Sequence, residues 1–296
     1  MTQKLVSVVI ATYNMATYLP VAIKSALNQT YPNIEVNVVD DGSSDSTQEV
    51  MAEFSDDSRV HYQRQDHLGQ APTKVNGVNS CKGDYIAFLD ADDIWMPEKL
   101  ALQLQVFDRS PETGVVYSDL VRVDEQANPI PESRNNTPRY SGNVSDKLFV
   151  SNFVGFSTAI VKRECFDKLG SFDETLQVGI DYDLWLRFST RYKFDYVNKP
   201  TVFYRVWPGQ ISTQRNFEAR YETGQLIRKR FLMNNPGLIK PSVRRKGWSS
   251  FYVNYGHDML VKNNNKFDAS SKFAKAILYR RDNLRAWKAM IRLAMR

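Results

Sequence analysis

The sequence predicts an α/β chain: a doubly wound, mostly parallel sheet followed by a helical, basic C-terminal extension. Three observations carry this expectation. Across residues 5–118, apolar runs of strand length alternate with segments of helical spacing. Polar clusters, two of them rich in Asp, fall just after three of those runs, where open α/β sheets bind their ligands. The charge is also divided: residues 220–296 hold 18 Lys/Arg against 4 Asp/Glu, a local +14 within a total of +6, which leaves −8 on residues 1–219. An acidic body with a basic tail suggests acid-based chemistry in front and an anionic surface met from behind.

The elements follow in order. Residues 5–11 form a continuous, valine-rich apolar run, as expected of a parallel strand covered on both faces. Leu19, Ala22, Ile23, Ala26 and Leu27 keep helical spacing until Tyr31-Pro32 stops that helix. Residues 34–39 read as a second strand ending at Asp40-Asp41-Gly42-Ser43-Ser44, and Ser44 or Ser46 can cap a helix over 47–54. A short third strand over 59–63, a helix over 70–81 and a fourth strand over 84–89 come next. Pro97, suited to a first helical turn, opens a helix through Phe107, and 115–118 begins a fifth strand. Residues 119–215 are less regular, and 128–143, with Pro129, Pro131, Pro138 and Gly142, read as a mobile loop. From about Phe217 the chain is helical and basic.

Composition excludes several classes. No run approaches the ~18 apolar residues that cross a bilayer. The 5–11 run meets polar Thr12-Tyr13-Asn14 and lacks a small-residue cleavage site, so it reads as a strand and not as a signal peptide. Cys81 and Cys165 show no metal-ligand spacing, and a reducing cytosol is the simplest setting. His61, His67 and His257 form no ligand set; His67, beside Gly69, is near enough to a loop to approach a phosphate but reads better as a partly exposed loop histidine. No Gly-x-Gly-x-x-Gly follows the first strand, which argues against NAD. The acidic body argues against nucleic acid.

The stretch "YIAFLDADDIW" packs Asp90, Asp92 and Asp93 behind an apolar run. Carboxylates two positions apart at a strand end can hold a hard divalent cation, with a phosphate completing the shell, and the cation removes their repulsion. The same acids also suit a cap on the turn before the Pro97 helix. On these residues alone both readings stand. Asp40-Asp41-Gly42 has a turn reading too, while a carboxylate there can accept from a ribose hydroxyl or a base N–H.

"VSVVIATYN", "VVDDGSSDST", "GDYIAFLDADDIWMPEKL", "GSFDE" and "DYDLWLR" follow one another in this chain. Their order and spacing resemble family 2 glycosyltransferases of the GT-A fold, over residues 5 to about 212. The resemblance implies an inverting transfer from a nucleotide-diphosphate sugar, UDP-linked by preference, to a hydroxyl of a glycan or lipid-linked acceptor in cell-surface polysaccharide synthesis. It implies a base pocket lined by Ala11, Tyr13 and Asp41, and Asp92 as the ligand of a Mn2+ or Mg2+ ion. Asp90 falls by the ribose or the metal shell, Asp93 toward the donor sugar, and Lys74 where many members place an arginine near the diphosphate. Asp181 matches the catalytic base; an acid in a first helical turn is also simply favourable to the dipole.

The resemblance further implies a domain over 1–215, divided into a nucleotide-sugar half (1–118) and an acceptor half (119–215), before the helical region 216–296. The chain departs from the pattern at Ile180, often Glu, and at Trp207, often a His that helps hold the metal, which puts a third protein ligand in question. The Gln-x-x-Arg-Trp motif of processive synthases is absent, so single-sugar addition is expected. A non-catalytic nucleotide-sugar or glycan-binding module on the same fold, or a sugar nucleotidyltransferase, are the competing readings.

In the tail, Leu284, Trp287, Ile291 and Ala294 follow helical spacing among Arg280, Arg281, Arg285, Lys288, Arg292 and Arg296. Such a helix suits an anionic membrane surface, giving a cytoplasmic protein peripheral on the membrane face. The alternative is a terminal helix packing its Trp287 stripe onto the body or onto a second subunit, so a homo-oligomer stays open.

Overall fold

The computed structural model describes residues 3–134, 138–210, 217–263 and 265–295. Among them, nine strands join in one sheet: β1 (Val6–Thr12), β2 (Ile34–Asp40), β3 (Val60–Arg64), β4 (Tyr85–Phe88), β5 (Ile94–Trp95), β6 (Thr113–Val123), β7 (Pro129–Arg134), β8 (Ile160–Lys162) and β9 (Lys193–Arg205). Their order is β3-β2-β1-β4-β8-β6-β9-β5, with β7 added to β6.

The first four strands run parallel, and the register sets Thr12 beside Asp40 and Val9 beside Phe88. β1 lies between β2 and β4, so the strand order reverses there and a crevice opens beyond the carboxyl ends of β1 and β4. Both faces are covered. Val6, Val8 and Ile10 share a core with Leu19, Ala22, Ile23 and Ala26 of helix α1 (Leu19–Leu27). On the other face, helix α3 (Gln70–Ser80) brings Gly77 so close that a Cβ there would sit 2.5 Å from Val9 Cγ1. The helix between them in the chain, α2 (Thr47–Ala52), follows β2, and α4 (Lys99–Arg109) lays Leu100, Leu104 and Phe107 into the first core.

Beyond β4 the pairing changes. β8 is antiparallel to both β4 and β6, and β5 is antiparallel to β9. β6 and β9 run parallel again over Thr113–Val123, so the parallel expectation describes the first half of the sheet and the long β6–β9 pair. β8 is entered from a short 3-10 turn, Phe156–Thr158.

Residues 129–134 are a strand, not the mobile loop that their prolines suggest. Asp124 Oδ1 accepts from the amides of Gln126 and Asn128, Ala127 takes φ 66°, and the turn folds β7 back onto β6. β7 pairs on one side only, and an edge strand tolerates proline. Residues 135–137 of that expected loop lie outside the described residues.

The chain divides into two compact units, 1–143 with 153–215 and 144–152 with 216–296. Residues 144–152, expected in the acceptor half, thus group with the C-terminal helices. The reason is Phe149 of helix α5 (Ser145–Val150), fully buried against Phe231 and Trp248 and tight against Gly247. Helices α6 (Arg163–Leu169) and α7 (Ile180–Ser189) belong to the first unit. The second contains α8 (Phe217–Asn234), α9 (Pro241–Asn263), α10 (Lys266–Tyr279) and α11 (Leu284–Ala294), around Phe217, Met259, Ala269, Phe273 and Ala289. Among the described residues no helix is long and apolar enough to cross a membrane.

Candidate active site

The rim begins where β2 ends. Asp40 is fully buried and builds the turn: its Oδ1 accepts from Ser43 N and Oγ, and its Oδ2 from the Tyr62 hydroxyl. Asp41 is also buried, 3% exposed, but turns to the following loop. Its carboxylate receives Gln65 Nε2 (2.8 Å), Leu68 N (2.8 Å) and Gly69 N (2.9 Å), while His67 Nδ1 stands 2.8 Å from Oδ2. Bonds of this kind to an ionised acceptor are about twice as strong as neutral ones, so Asp41 fixes loop 65–69 at the head of α3. Gly42, at φ 76°, permits the approach: a Cβ would lie 3.0 Å from His67 N.

The His67 ring stacks on Tyr13, at the end of β1, with centroids 4.2 Å apart and planes inclined by 21°. Tyr13, Asp41 and His67 thus share one patch. Ala11, two residues earlier in β1, is partly exposed on the same strand.

The second part of the rim follows β4. Asp90 N donates to Ser157 Oγ, and the Asp90 carboxylate meets Lys74 Nζ of α3 at 3.2 Å. The same ammonium sits 3.8 Å from the centre of the Phe156 ring. Asp92 accepts a 2.8 Å bond from Trp207 Nε1. Burial, and then the negative charge of Asp90, push the Asp92 carboxyl above its ordinary range.

Asp93 lies beneath the rim, 1% exposed, with Oδ2 accepting from Ser157 Oγ and Oδ1 from Arg205 N. Burial raises its pKa well above the usual carboxylate value, and the Asp92 and Asp90 charges add to this. Asp93 clamps the 3-10 turn to the end of β9, and Arg205, itself buried, donates to the Asp92 carbonyl.

Helix α7 follows Gly179, which adopts φ 71°, and carries Asp181, partly buried, in its first turn. Asp183 is engaged by Arg187 (2.7 Å), which also donates to the carbonyls of Leu169 and Ser171. This helix and the segment before it both reach the rim. Trp185 meets Phe88, the last residue of β4, at 6.4 Å between ring centres, and Gln70 at the head of α3 donates to the Gln177 carbonyl at 2.5 Å.

The acids suit a hard dication in charge and donor type: Asp92 is an under-neutralised carboxylate beside Asp90, and Lys74 offsets one negative charge only. The protein's ligand count is low, for among the described residues no three His, Cys, Asp or Glu side chains converge on one point. Diphosphate oxygens and waters would have to complete the shell, as Mg2+ commonly requires.

Sequence reasoning misses Ser157 and Arg205, which hold the acids in place from distant parts of the chain. Nothing local marks them, since each acts through hydrogen bonds to another element. It also assigns His67 no partner, although Tyr13 and Asp41 are both singled out.

Comparisons with known proteins bear on the family and the fold. Residues 7–170 match the family described as glycosyl transferase family 2. An uncharacterized glycosyltransferase of Methanocaldococcus jannaschii is 30% identical over 70% of this chain and 72% of its own. One of Rickettsia typhi is 34% identical over 62% of this chain, a match spanning 58% of that protein. The Escherichia coli chondroitin synthase is 29% identical over 83% of this chain and 34% of its own. The chain thus spans little more than half of its Rickettsia relative and a third of the synthase.

Among solved structures, TarS of S. aureus superposes with a TM-score of 0.68 at 18% identity, over 98% of this chain and 54% of that one. Its shorter form (1–349) has been solved with UDP and with UDP-GlcNAc. The mannosyltransferase PcManGT of Pyrobaculum calidifontis, in complex with GDP-Man and Mn2+, gives 0.57 at 18% identity over 98% of this chain and 86% of that one. At these identities the likeness shows the fold, that of GT-A glycosyltransferases.

Proposed function

Because this chain belongs to glycosyltransferase family 2, we propose that it is an inverting, metal-dependent transferase moving a sugar from a UDP-linked donor to a hydroxyl of a glycan or lipid-linked acceptor. The transferred group in this reading is a hexosyl or N-acetylhexosaminyl unit, and the product belongs to a cell-surface polysaccharide. We propose further that the protein works in the cytoplasm, peripherally on an anionic membrane face through residues 280–296.

The observation that supports the reading best is the division of labour along one rim. Tyr13 offers an exposed aromatic face to a base, and Asp41, buried and bonded to loop 65–69, accepts a base N–H only in exchange for one of those bonds. Lys74, already against Asp90, can turn its ammonium to a diphosphate oxygen, although it lacks the two-pronged fit of arginine. Asp92, with Asp90, would hold the divalent ion, whose charge neutralises the departing diphosphate.

Asp181 takes the proton of the acceptor hydroxyl as that oxygen bonds to C1 on the face opposite the diphosphate. The C1–O bond to the diphosphate breaks as the new one forms, and the configuration inverts. Asp183 is a poor candidate for the base, because Arg187 holds it in a structural pair. Asp93, locked by Ser157 and Arg205, would reach the donor sugar only by giving up those bonds. The Asp181→Asn variant tests the assignment. Transfer is lost while donor binding, read as a thermal shift, stays near wild type; lost donor binding would remove Asp181 as the base. Transfer indifferent to a chelator would remove the metal from Asp92.

A further inference from the structure

Helix α11 is packed on one side only. At 100° per residue its buried positions, Ala286 and Ala289, and the partly buried Met290 and Leu293 form one face. Leu284, Trp287, Ile291 and Met295 fall on the opposite face and are 70%, 45%, 55% and 81% exposed. The stripe is therefore turned outward, against the alternative of internal packing. Four large apolar side chains in line, on the side of a helix away from its own core, mark a contact surface.

Along one border of the stripe stand Arg285, Lys288 and Arg292. None of the three makes an ion pair or a side-chain hydrogen bond with a described residue, while Arg280 nearby is held by Asp282. Together with His257 of α9 they line a cavity of about 420 Å³. The field there is positive: burial depresses the His257 pKa first, and Arg285 and Arg292 lower it further. Asp258, next to His257 in the chain, is engaged by Arg220 and Tyr221. Asn283 caps the helix through the amides of Arg285 and Ala286, so the apolar stripe and the cation row start in fixed register.

We propose that α11 is a bilayer-docking helix for anionic lipid, with Leu284, Trp287, Ile291 and Met295 entering the acyl boundary and the cavity of Arg285, Lys288, Arg292 and His257 seating a lipid phosphate. Charge decides between occupants. A second copy would bring an identical cation row against this one, whereas an anionic leaflet offers phosphates beside an apolar layer, matching the two adjoining faces. Trp287, whose indole N–H is bonded to the Arg281 carbonyl, stands at the edge where an interfacial tryptophan sits. This inference rests on the membrane reading above and adds to it the surface and the headgroup chemistry.

The test is co-sedimentation of the full chain with vesicles of phosphatidylcholine alone or mixed with phosphatidylglycerol. Wild type binds the mixed vesicles and releases them at high salt. Replacing Arg285, Lys288 and Arg292 together by Gln weakens binding by on the order of a hundredfold, roughly fivefold per charge. Trp287→Ala with Ile291→Ala weakens it comparably. Donor-binding thermal shifts stay unchanged in both variants, which separates docking from misfolding. If wild type ignores anionic vesicles at low salt, the membrane reading itself falls. If wild type binds but both variants bind as well as it does, membrane contact stands and α11 is not its surface. A dimer in solution that Trp287→Ala dissolves would overturn the lipid assignment in favour of a second copy.

Discussion

The bond from Trp207 to Asp92 can be removed with little change of shape by Trp207→Phe. The phenyl ring keeps much of the contact with Tyr18, whose ring lies 5.4 Å away, but it has no N–H to give. The Asp92 carboxylate then loses its 2.8 Å donor while Asp90 continues to repel it. A hydrogen bond to a charged group contributes about 1.5–3 kcal/mol. Asp92 retains some exposure and can take up a proton instead, which caps the loss near the lower end, about 1.5 kcal/mol. For a unit of roughly 200 residues this lowers Tm by about 3–6 °C.

The assay is thermal unfolding without metal, run as a cycle with Asp92→Asn. In the Asp92→Asn background the same Trp207→Phe change costs about 1 kcal/mol less, because the amide has no charge to leave unsatisfied. An equal loss in both backgrounds would mean that Trp207 matters through ring packing alone, and the electrostatic account of this corner would fail.

Three further outcomes follow from the geometry. His67→Ala tightens UDP binding by several-fold in calorimetry, because a stacked ring contributes about 0.5–1.5 kcal/mol that a base must first displace; weaker binding would make His67 a wall of the pocket instead of its occupant. Gly77→Ala destabilises by about 1–3 kcal/mol through the Val9 clash, outweighing the better helix propensity of Ala; Val9→Ala should restore most of the urea midpoint, and no rescue would refute the contact. Lys99, fully buried beside Gln103 and the Trp95 ring, has a pKa well below its ordinary value through burial. Between that lowered pKa and about 10.4 the unfolded chain binds more protons, so stability rises with pH; Lys99→Met loses that rise, and parallel pH profiles for the two proteins would exclude it.

The sequence by itself determined the periodic first half of the fold. Parallel strands covered on both faces are written as unbroken apolar runs, and helices as three- and four-residue spacing, so β1 to β4 and α1 to α4 are legible within about two residues. The acids at the strand ends are legible for the same reason, since a polar cluster after an apolar run marks the rim. Residues 129–134 are not, because proline content signals a break while the turn at Asp124 and an open sheet edge permit a strand. Tertiary structure alone decided which acid does what. Asp40, Asp41, Asp92 and Asp93 are indistinguishable in sequence; only the partners that arrive from far along the chain show that Asp40 holds its turn, Asp41 holds loop 65–69, Asp93 is locked by Ser157 and Arg205, and Asp92 keeps partial exposure. The tail shows the same division: its amphipathic spacing is plain, but only the packing of Ala286 and Ala289 inward settles that Trp287 and Ile291 face out.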